Sequence, residues 1–219
     1  MGQVKIITPE QELLLDEFRK DDFLSSTFYF TGGTALSLYY LKHRLSIDLD
    51  FFSETTFDPQ ILSDKVVALA EKLEATVEYI PIEDITHVFN LTFPSKQVVK
   101  IDFARYPYKR VERNRIIDGI QVDSVMDIAI NKLLTVEQRS EVKDFVDLYF
   151  LLQQFTIWDL LEGVRIKFRV KLDPFIIGSD FLKVENFEYL PEMIKPLTLE
   201  TLKSYFRQKA KEISGRSIE

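Results

Sequence analysis

Apolar and polar positions along this chain follow two different periods. Residues 27–31 (TFYFT) are a short apolar run ending on Gly32-Gly33, which predicts a strand entering a tight turn. Residues 34–43 then take helical spacing, and 47–52 (IDLDFF) return to a period of two. Runs at 76–81, 87–93 and 97–104 read as three successive strands, and Asp118-Gly119 within RIIDGIQV signals a hairpin. PEQELLLDEFRK, from Pro9, is a helix with its acids early and its basic residues late, the order that suits a helix dipole. Pro59 opens a second helix over 59–74, with Leu62, Val66, Leu69, Ala70 and Leu73 in one stripe.

Beyond about residue 123 the strand pattern stops. Helices are predicted at 125–137, 141–154, 157–170 and 198–213, with Pro174, Pro191 and Pro196 breaking up the stretch between the last two. Ser124 and Asp127 resemble a capping box at the first of these helices. Strands that are partly consecutive and partly separated by helices predict an α+β fold with a mixed sheet flanked by helices. The expected division is an α/β core over 1–122 and a C-terminal helical region over 123–219, with no linker between them.

The 47–52 strand carries two aspartates. Asp48 and Asp50 are i and i+2, so they share one face about 7 Å apart at ~3.4 Å per residue. Ile47, Leu49 and Phe51 take the opposite face, towards a core. Two carboxylates on one face of an apolar strand suit Mg²⁺ held against a nucleoside triphosphate. The plain alternative is an aspartate that caps a helix or ends a strand at the surface. In QVVKIDFARYP, Val99, Ile101 and Phe103 alternate with Val98, Lys100 and Asp102, so Asp102 is polar on a strand whose other face is apolar. Three aspartates from two neighbouring strands could hold two Mg²⁺ ions about 4 Å apart, as in-line phosphoryl displacement uses. Asp102 could instead take the proton of an attacking hydroxyl, or be a solvated strand residue.

Other residues could bind phosphate. Gly32, Gly33 and Thr34 combine permissive backbone with the N–H groups of a helix start. Thr34 either caps that helix or touches phosphate, and a plain strand-to-helix turn explains the same residues. Arg44 and Ser46 lie in RLSIDLD, and Arg44 either grips phosphate or pairs with the aspartates. In 130–152, Lys132 sits among apolar residues, and Asp144 and Asp147 share a helix face, with Lys143 placed to pair with Asp147. One reading is two packed amphipathic helices with surface ion pairs. In the other, Lys132 and Arg139 bind triphosphate and Asp144 holds those cations in place.

Composition narrows the classes. The chain has 219 residues, a net charge of −7, no cysteine and two histidines, His43 and His87. That excludes disulfides and thiolate metal sites and leaves no ordinary zinc site. The negative charge counts against a broad nonspecific nucleic-acid surface. Two local basic runs, KRVERNR (109–115) and RIKFRVK (165–171), are either grooves or solvated faces. No run of about 18 apolar residues could span a membrane, and the N-terminal stretch turns acidic where a signal peptide would be apolar. A cytoplasmic location is expected.

Taken together, Gly-Gly-Thr-x-Leu at 32–36, Arg-x-Ser-x-Asp-x-Asp at 44–50, the Asp102 strand, Lys132, Arg139 and Lys-Asp-x-x-Asp-Leu-Tyr at 143–149 resemble the nucleotidyltransferase AbiEii/AbiGii toxin family. That family is similar to the larger polymerase-β-type nucleotidyltransferase superfamily. The resemblance implies a nucleotidyltransferase fold, with Asp48 and Asp50 as metal ligands, Asp102 at the third acidic position, Lys132 at the conserved lysine and Asp144 at the late aspartate. It implies Mg²⁺-dependent transfer of a nucleoside monophosphate from an NTP, in some members to the 3′ end of tRNA, by a toxin that has a cognate antitoxin. The superfamily commonly has Gly-Ser and a shorter spacer, whereas here Gly-Thr is followed by thirteen residues, 35–47, before Asp48. A protein hydroxyl or a small molecule such as an aminoglycoside is the alternative acceptor, and a non-catalytic nucleotide-binding protein is the alternative class.

Overall fold

The computed structural model describes residues 5–82 and 85–215, so the first four residues of the N-terminal run discussed above lie outside it. The chain forms two compact units. One comprises Met1–Tyr40, Ser46–Lys109 and Arg113–Ser124, and the other Leu41–Leu45, Arg110–Glu112 and Val125–Glu219.

The first unit is a seven-stranded mixed sheet with helices. In chain order it contains α1 (Pro9–Phe18), α2 (Asp22–Thr27), β1 (Tyr29–Thr31), α3 (Gly32–Ala35), β2 (Leu49–Ser53), α4 (Pro59–Lys72), β3 (Thr76–Ile82), β4 (Thr86–Thr92), β5 (Val98–Arg105), β6 (Arg115–Ile117) and β7 (Ile120–Val122). The strand order is β3-β4-β5-β2-β1-β7-β6. Strands β3, β4 and β5 form an antiparallel meander, whereas β2 runs parallel to β5 and β1 parallel to β7. The Asp118-Gly119 turn joins β6 to β7, with both residues at positive φ, as a two-residue hairpin of this type requires. The inward face of β2 and β5 packs on aromatic rings: Phe51 lies 4.1 Å from Phe18 and 5.3 Å from Phe103, centroid to centroid.

Three local readings are corrected here. The strand expected at 27–31 begins only at Tyr29, because Asp21 accepts from the Leu24 amide and starts the short α2. The helix expected at 34–43 starts at Gly32 and relaxes into a π-helix over Leu36–Leu41, which stops at Lys42 in the left-handed region. Ile47 is not a core residue but 67% exposed, and β2 begins two residues later. The carbonyls of Ser46 and Ile47 accept from the Gln11 side chain, so side-chain bonds occupy these groups ahead of the strand ladder.

The second unit is helical: α5 (Val125–Gln138), α6 (Val142–Leu151), α7 (Ile157–Phe168), α8 (Pro174–Phe181), a 3₁₀ turn at Leu182–Asn186, and α9 (Leu199–Gly215). Phe145, Phe181 and Phe206 meet edge-to-face in its core. Helices α5 and α7 approach closely at Gly163, where a Cβ would lie 2.4 Å from Ile130 Cδ1. Pro174 does not break structure, because it occupies the first turn of α8 behind an Asp173 cap, where no N–H is needed. Asp127, in the first turn of α5, is buried. Its carboxylate accepts from the Val111 and Glu112 amides and from Lys167 Nζ at 2.7 Å, so Lys167 of the second basic run is a buried partner and not a surface charge.

Candidate active site

The sheet unit carries the three predicted acidic residues. Strands β2 and β5 are parallel neighbours, and their register makes Asp50 and Asp102 direct Cα partners. Both lie on the half-exposed face of the sheet, while Leu49, Phe51, Ile101 and Phe103 point inward. Asp48 sits one residue before β2, held by its own backbone: Thr34 Oγ1 bonds its carbonyl and lies 2.8 Å from Ser46 Oγ. The Thr34 hydroxyl thus lies within donating distance of both the Asp48 carbonyl and the Ser46 hydroxyl. Thr34 is fully buried. Thr34 and Ser46, both expected near phosphate, thus form a clasp on the segment that carries Asp48.

Gly32 lies against Asp50. At φ +73 it sits in the left-handed region, and a Cβ there would fall 2.0 Å from Asp50 Oδ2. Backbone conformation and space therefore both require glycine. Gly33, by contrast, is a buried residue of the same short helix.

Lys100, two residues before Asp102 on the same face, donates to Asp102 Oδ2 at 2.5 Å. Burial alone would lower its pKa, but the hydrogen bond and charge of Asp102, joined by the charges of Asp48 and Asp50, raise it. One ammonium therefore senses all three carboxylates. The other oxygen of Asp102, Oδ1, is buried and has no hydrogen-bond partner. Among the described residues, no three His, Cys, Asp or Glu side chains form a ready-made metal site. Sequence reasoning did not single out Lys100, although its i−2 spacing from Asp102 on a strand was the available signal.

In the helical unit the other predicted residues meet in one buried network. Lys132 of α5 donates to Asp144 Oδ1 at 2.7 Å and contacts Asp147 Oδ2 at 2.7 Å, both on α6. Asp147 also takes both arms of the Arg44 fork, Nε at 2.6 Å and Nη2 at 2.8 Å, and His43 Nε2 at 2.8 Å. Arg139, half-exposed, donates Nε to Asp144 Oδ2 at 2.8 Å. Segment 41–45 enters this unit by pairing with 192–195: Ile194 and Lys195 amides bond the His43 carbonyl, and Leu45 N–H bonds that of Glu192.

Charge explains the titration of the group. Burial alone would raise the carboxyl of Asp147, but Lys132 and Arg44 beside it, with hydrogen bonds from His43 and Arg44, hold it well below the usual range. Burial would likewise raise Asp144, and Lys132 and Arg139 outweigh it. Burial would lower Lys132, whereas Asp147 and Asp144 raise it. Desolvation lowers His43 despite its bond to Asp147, so the imidazole is neutral at pH 7. Of three ammonium hydrogens, Lys132 spends two on carboxylates, which leaves one donor.

Arg44 places both arms of its fork on Asp147, a carboxylate from the second unit. Lys143 pairs with Glu141 at 3.2 Å. Asp147 and His43 were not assigned roles from sequence. The i,i+3 spacing of Asp144 and Asp147 was visible, but the 103-residue separation between Arg44 and Asp147 left no local signal.

The family model for "Nucleotidyl transferase AbiEii toxin, Type IV TA system" matches residues 13–214. An uncharacterized protein of Aquifex aeolicus strain VF5 is 33% identical over 198 residues, covering 86% of this chain and 89% of the relative. Among solved structures, JHP933 from Helicobacter pylori superposes with a TM-score of 0.60 at 19% identity, covering 96% of each chain. MenT4, a nucleotidyltransferase toxin from Mycobacterium tuberculosis H37Rv, superposes with a TM-score of 0.59 at 16% identity, covering 94% of this chain and 82% of its own.

Proposed function

The chain belongs to the nucleotidyltransferase AbiEii toxin family of type IV toxin–antitoxin systems, and from that premise we propose that it transfers a nucleoside monophosphate from an NTP to a hydroxyl of an RNA acceptor such as tRNA, in a Mg²⁺-dependent reaction. The acceptor hydroxyl gives up its proton to Asp102 or to water, its oxygen attacks the α-phosphorus, the bond from that phosphorus to the β-phosphate oxygen breaks, and pyrophosphate leaves. A cognate antitoxin is the partner this reading implies.

The observation that carries it is the facing pair Asp50 and Asp102 with Lys100 seated on it. An ammonium drawn to one point by three carboxylates marks where a cation is stabilised, and the orphaned Asp102 Oδ1 is an oxygen with nothing else to bind. Both fit a hard divalent ion, which prefers carboxylate oxygens. Asp48, Asp50 and Asp102 would hold Mg²⁺, two ions on our reading. When bound, the metal neutralises phosphate charge and polarises the phosphoryl oxygens.

The remaining residues bind and orient. Gly32 keeps Asp50 in place by its lack of a side chain, and Thr34 with Ser46 holds Asp48. Gly33 adds backbone for the phosphates. The third N–H of Lys132 serves the triphosphate, with Asp144 and Asp147 fixing the ammonium and keeping it charged. Arg139 contributes from its exposed side, and Arg44 acts by anchoring Asp147. Such preorganised charge is the main source of catalysis in phosphoryl transfer.

The test is to incubate the protein with Mg²⁺, each labelled NTP in turn, and total tRNA or a cell lysate, beside an Asp48→Ala/Asp50→Ala double mutant. Label in RNA with the wild type alone supports the proposal. Label in protein or in a small molecule replaces the acceptor, and the net charge of −7 is the observation that favours a cationic small molecule as the second reading. Equal turnover in the double mutant would sink the metal assignment.

A further inference from the structure

Two residues along β2 from Asp50, on the same face, stands Phe52, about 7 Å away at ~3.4 Å per residue. Its partner across β5 is Ala104, whose small side chain leaves room beside the ring. The next residue of that parity beyond β5, Tyr106, packs on Phe52 with centroids 4.7 Å apart and planes at 32°. Tyr108 follows edge-on at 4.9 Å and is 39% exposed. A row of rings thus starts beside the carboxylates and runs outward to a ring open to solvent.

The same segment is strongly basic within an acidic chain. Residues 105–115 read RYPYKRVERNR, with five basic residues and one acidic, against a net charge of −7 for the whole protein. Arg105, Lys109, Arg113 and Arg115 are exposed, and among the described residues none of the four has a carboxylate partner. Many other surface cations, such as Arg19, Lys20, Arg165 and Arg207, are paired.

We infer that Phe52, Tyr106 and Tyr108 form a stacking platform for the bases of a single-stranded RNA end, with Lys109, next to Tyr108, on its phosphates. This rests on the RNA reading above and adds to it the place where the acceptor strand lies. The physics is that of single-strand binding in general: rings accept any base by stacking, and cations spaced along the chain follow the backbone. The row leads to Asp50 and Asp102, so a strand stacked on it brings its terminal hydroxyl towards the carboxylates. Two tyrosines and a phenylalanine serve stacking without base-specific hydrogen bonds, so the platform tolerates sequence.

The experiment is direct binding, independent of turnover. A fluorescent single-stranded RNA oligonucleotide is titrated by anisotropy against wild type, Tyr106→Ala, Tyr108→Ala, and the ring-preserving Tyr106→Phe and Tyr108→Phe, and NTP affinity is measured in parallel. Each alanine variant should weaken RNA binding about tenfold with NTP affinity unchanged, while the phenylalanine variants bind like wild type. Lys109→Ala should lower the slope of log affinity against log salt by about 0.7. Tyr108 is exposed enough that its alanine variant retains the fold, which a thermal melt verifies. Wild type binding RNA with the alanine variants unchanged overturns the platform and leaves the RNA reading standing. A loss confined to NTP affinity also overturns it, and failure of wild type to bind RNA removes both.

Discussion

Gly32 and Asp50 compete for one volume: a single methyl on residue 32 would lie 2.0 Å from Asp50 Oδ2 and 2.8 Å from its Cγ. The chain turns from β1 into α3 there with φ +73, and Thr31 of β1 is the Cα partner of Asp50. The turn and the carboxylate were read from sequence as separate motifs, and they are one piece of geometry.

Gly32→Ala should therefore do two things. Strain at positive φ destabilises the protein by about 1 kcal/mol or more. Displacement of Asp50 should remove transfer activity even at temperatures where the variant is folded. A melt combined with the labelled-NTP assay checks this, and an active, equally stable Gly32→Ala protein would refute it.

Lys100→Met should tighten Mg²⁺ binding. The ammonium now neutralises the site that the metal would occupy, and its removal leaves Asp48, Asp50 and Asp102 more strongly repelling. Because Lys100 is partly exposed, solvent screens the effect, and a gain of tenfold or less in apparent affinity is expected, about 1.4 kcal/mol at most. Titration of the metal dependence of transfer reads it, and weaker metal binding in the variant would count against the assignment.

Asp147→Ala should be among the most damaging substitutions in the helical unit. It leaves Arg44 and Lys132 buried without their common partner, a change of about 3–5 kcal/mol. Lys143→Ala, on the same helix but half-exposed and paired with half-exposed Glu141, should change stability by less than about 0.5 kcal/mol. Denaturant unfolding of the two variants separates the buried network from the surface pair.

Stability should fall in two steps on acidification. His43 has a lowered pKa in the fold, so the unfolded chain takes up its proton first, near pH 6.5, and stability drops below that value until the folded imidazole protonates. Asp144 and Asp147 have depressed pKa values, so their contribution is complete above about pH 4 and is lost as pH falls through their folded values. A His43→Gln variant should lose the upper step and keep the lower one. Melting temperature against pH from 3 to 8 is the measurement.

Much of the architecture was legible in the chain. The strands at 76–81, 87–93 and 97–104, the Asp118-Gly119 hairpin and the helices near 59–74, 125–137 and 198–213 follow from periodicity and turn chemistry, because these are local. What local spacing could not show depends on distant segments. The segment before β2, where Ile47 is exposed, is bonded at its carbonyls by Gln11, 36 residues earlier, and Arg44 meets Asp147 across 103 residues. Pro174 looks like a breaker until its place behind Asp173 is known.

By itself, then, the sequence determined the two periods, the acidic pair at Asp48 and Asp50, the polar face of the Asp102 strand, and the shared helix face of Asp144 and Asp147, since spacing along a strand or helix dictates which side chains share a face. Only tertiary structure decided that Asp50 faces Asp102, that Lys100 joins them, and that His43 and Arg44 converge on Asp147. Those relations depend on strand register and on which distant segments pair, and both are set by packing of the whole core, not by any local run of residues.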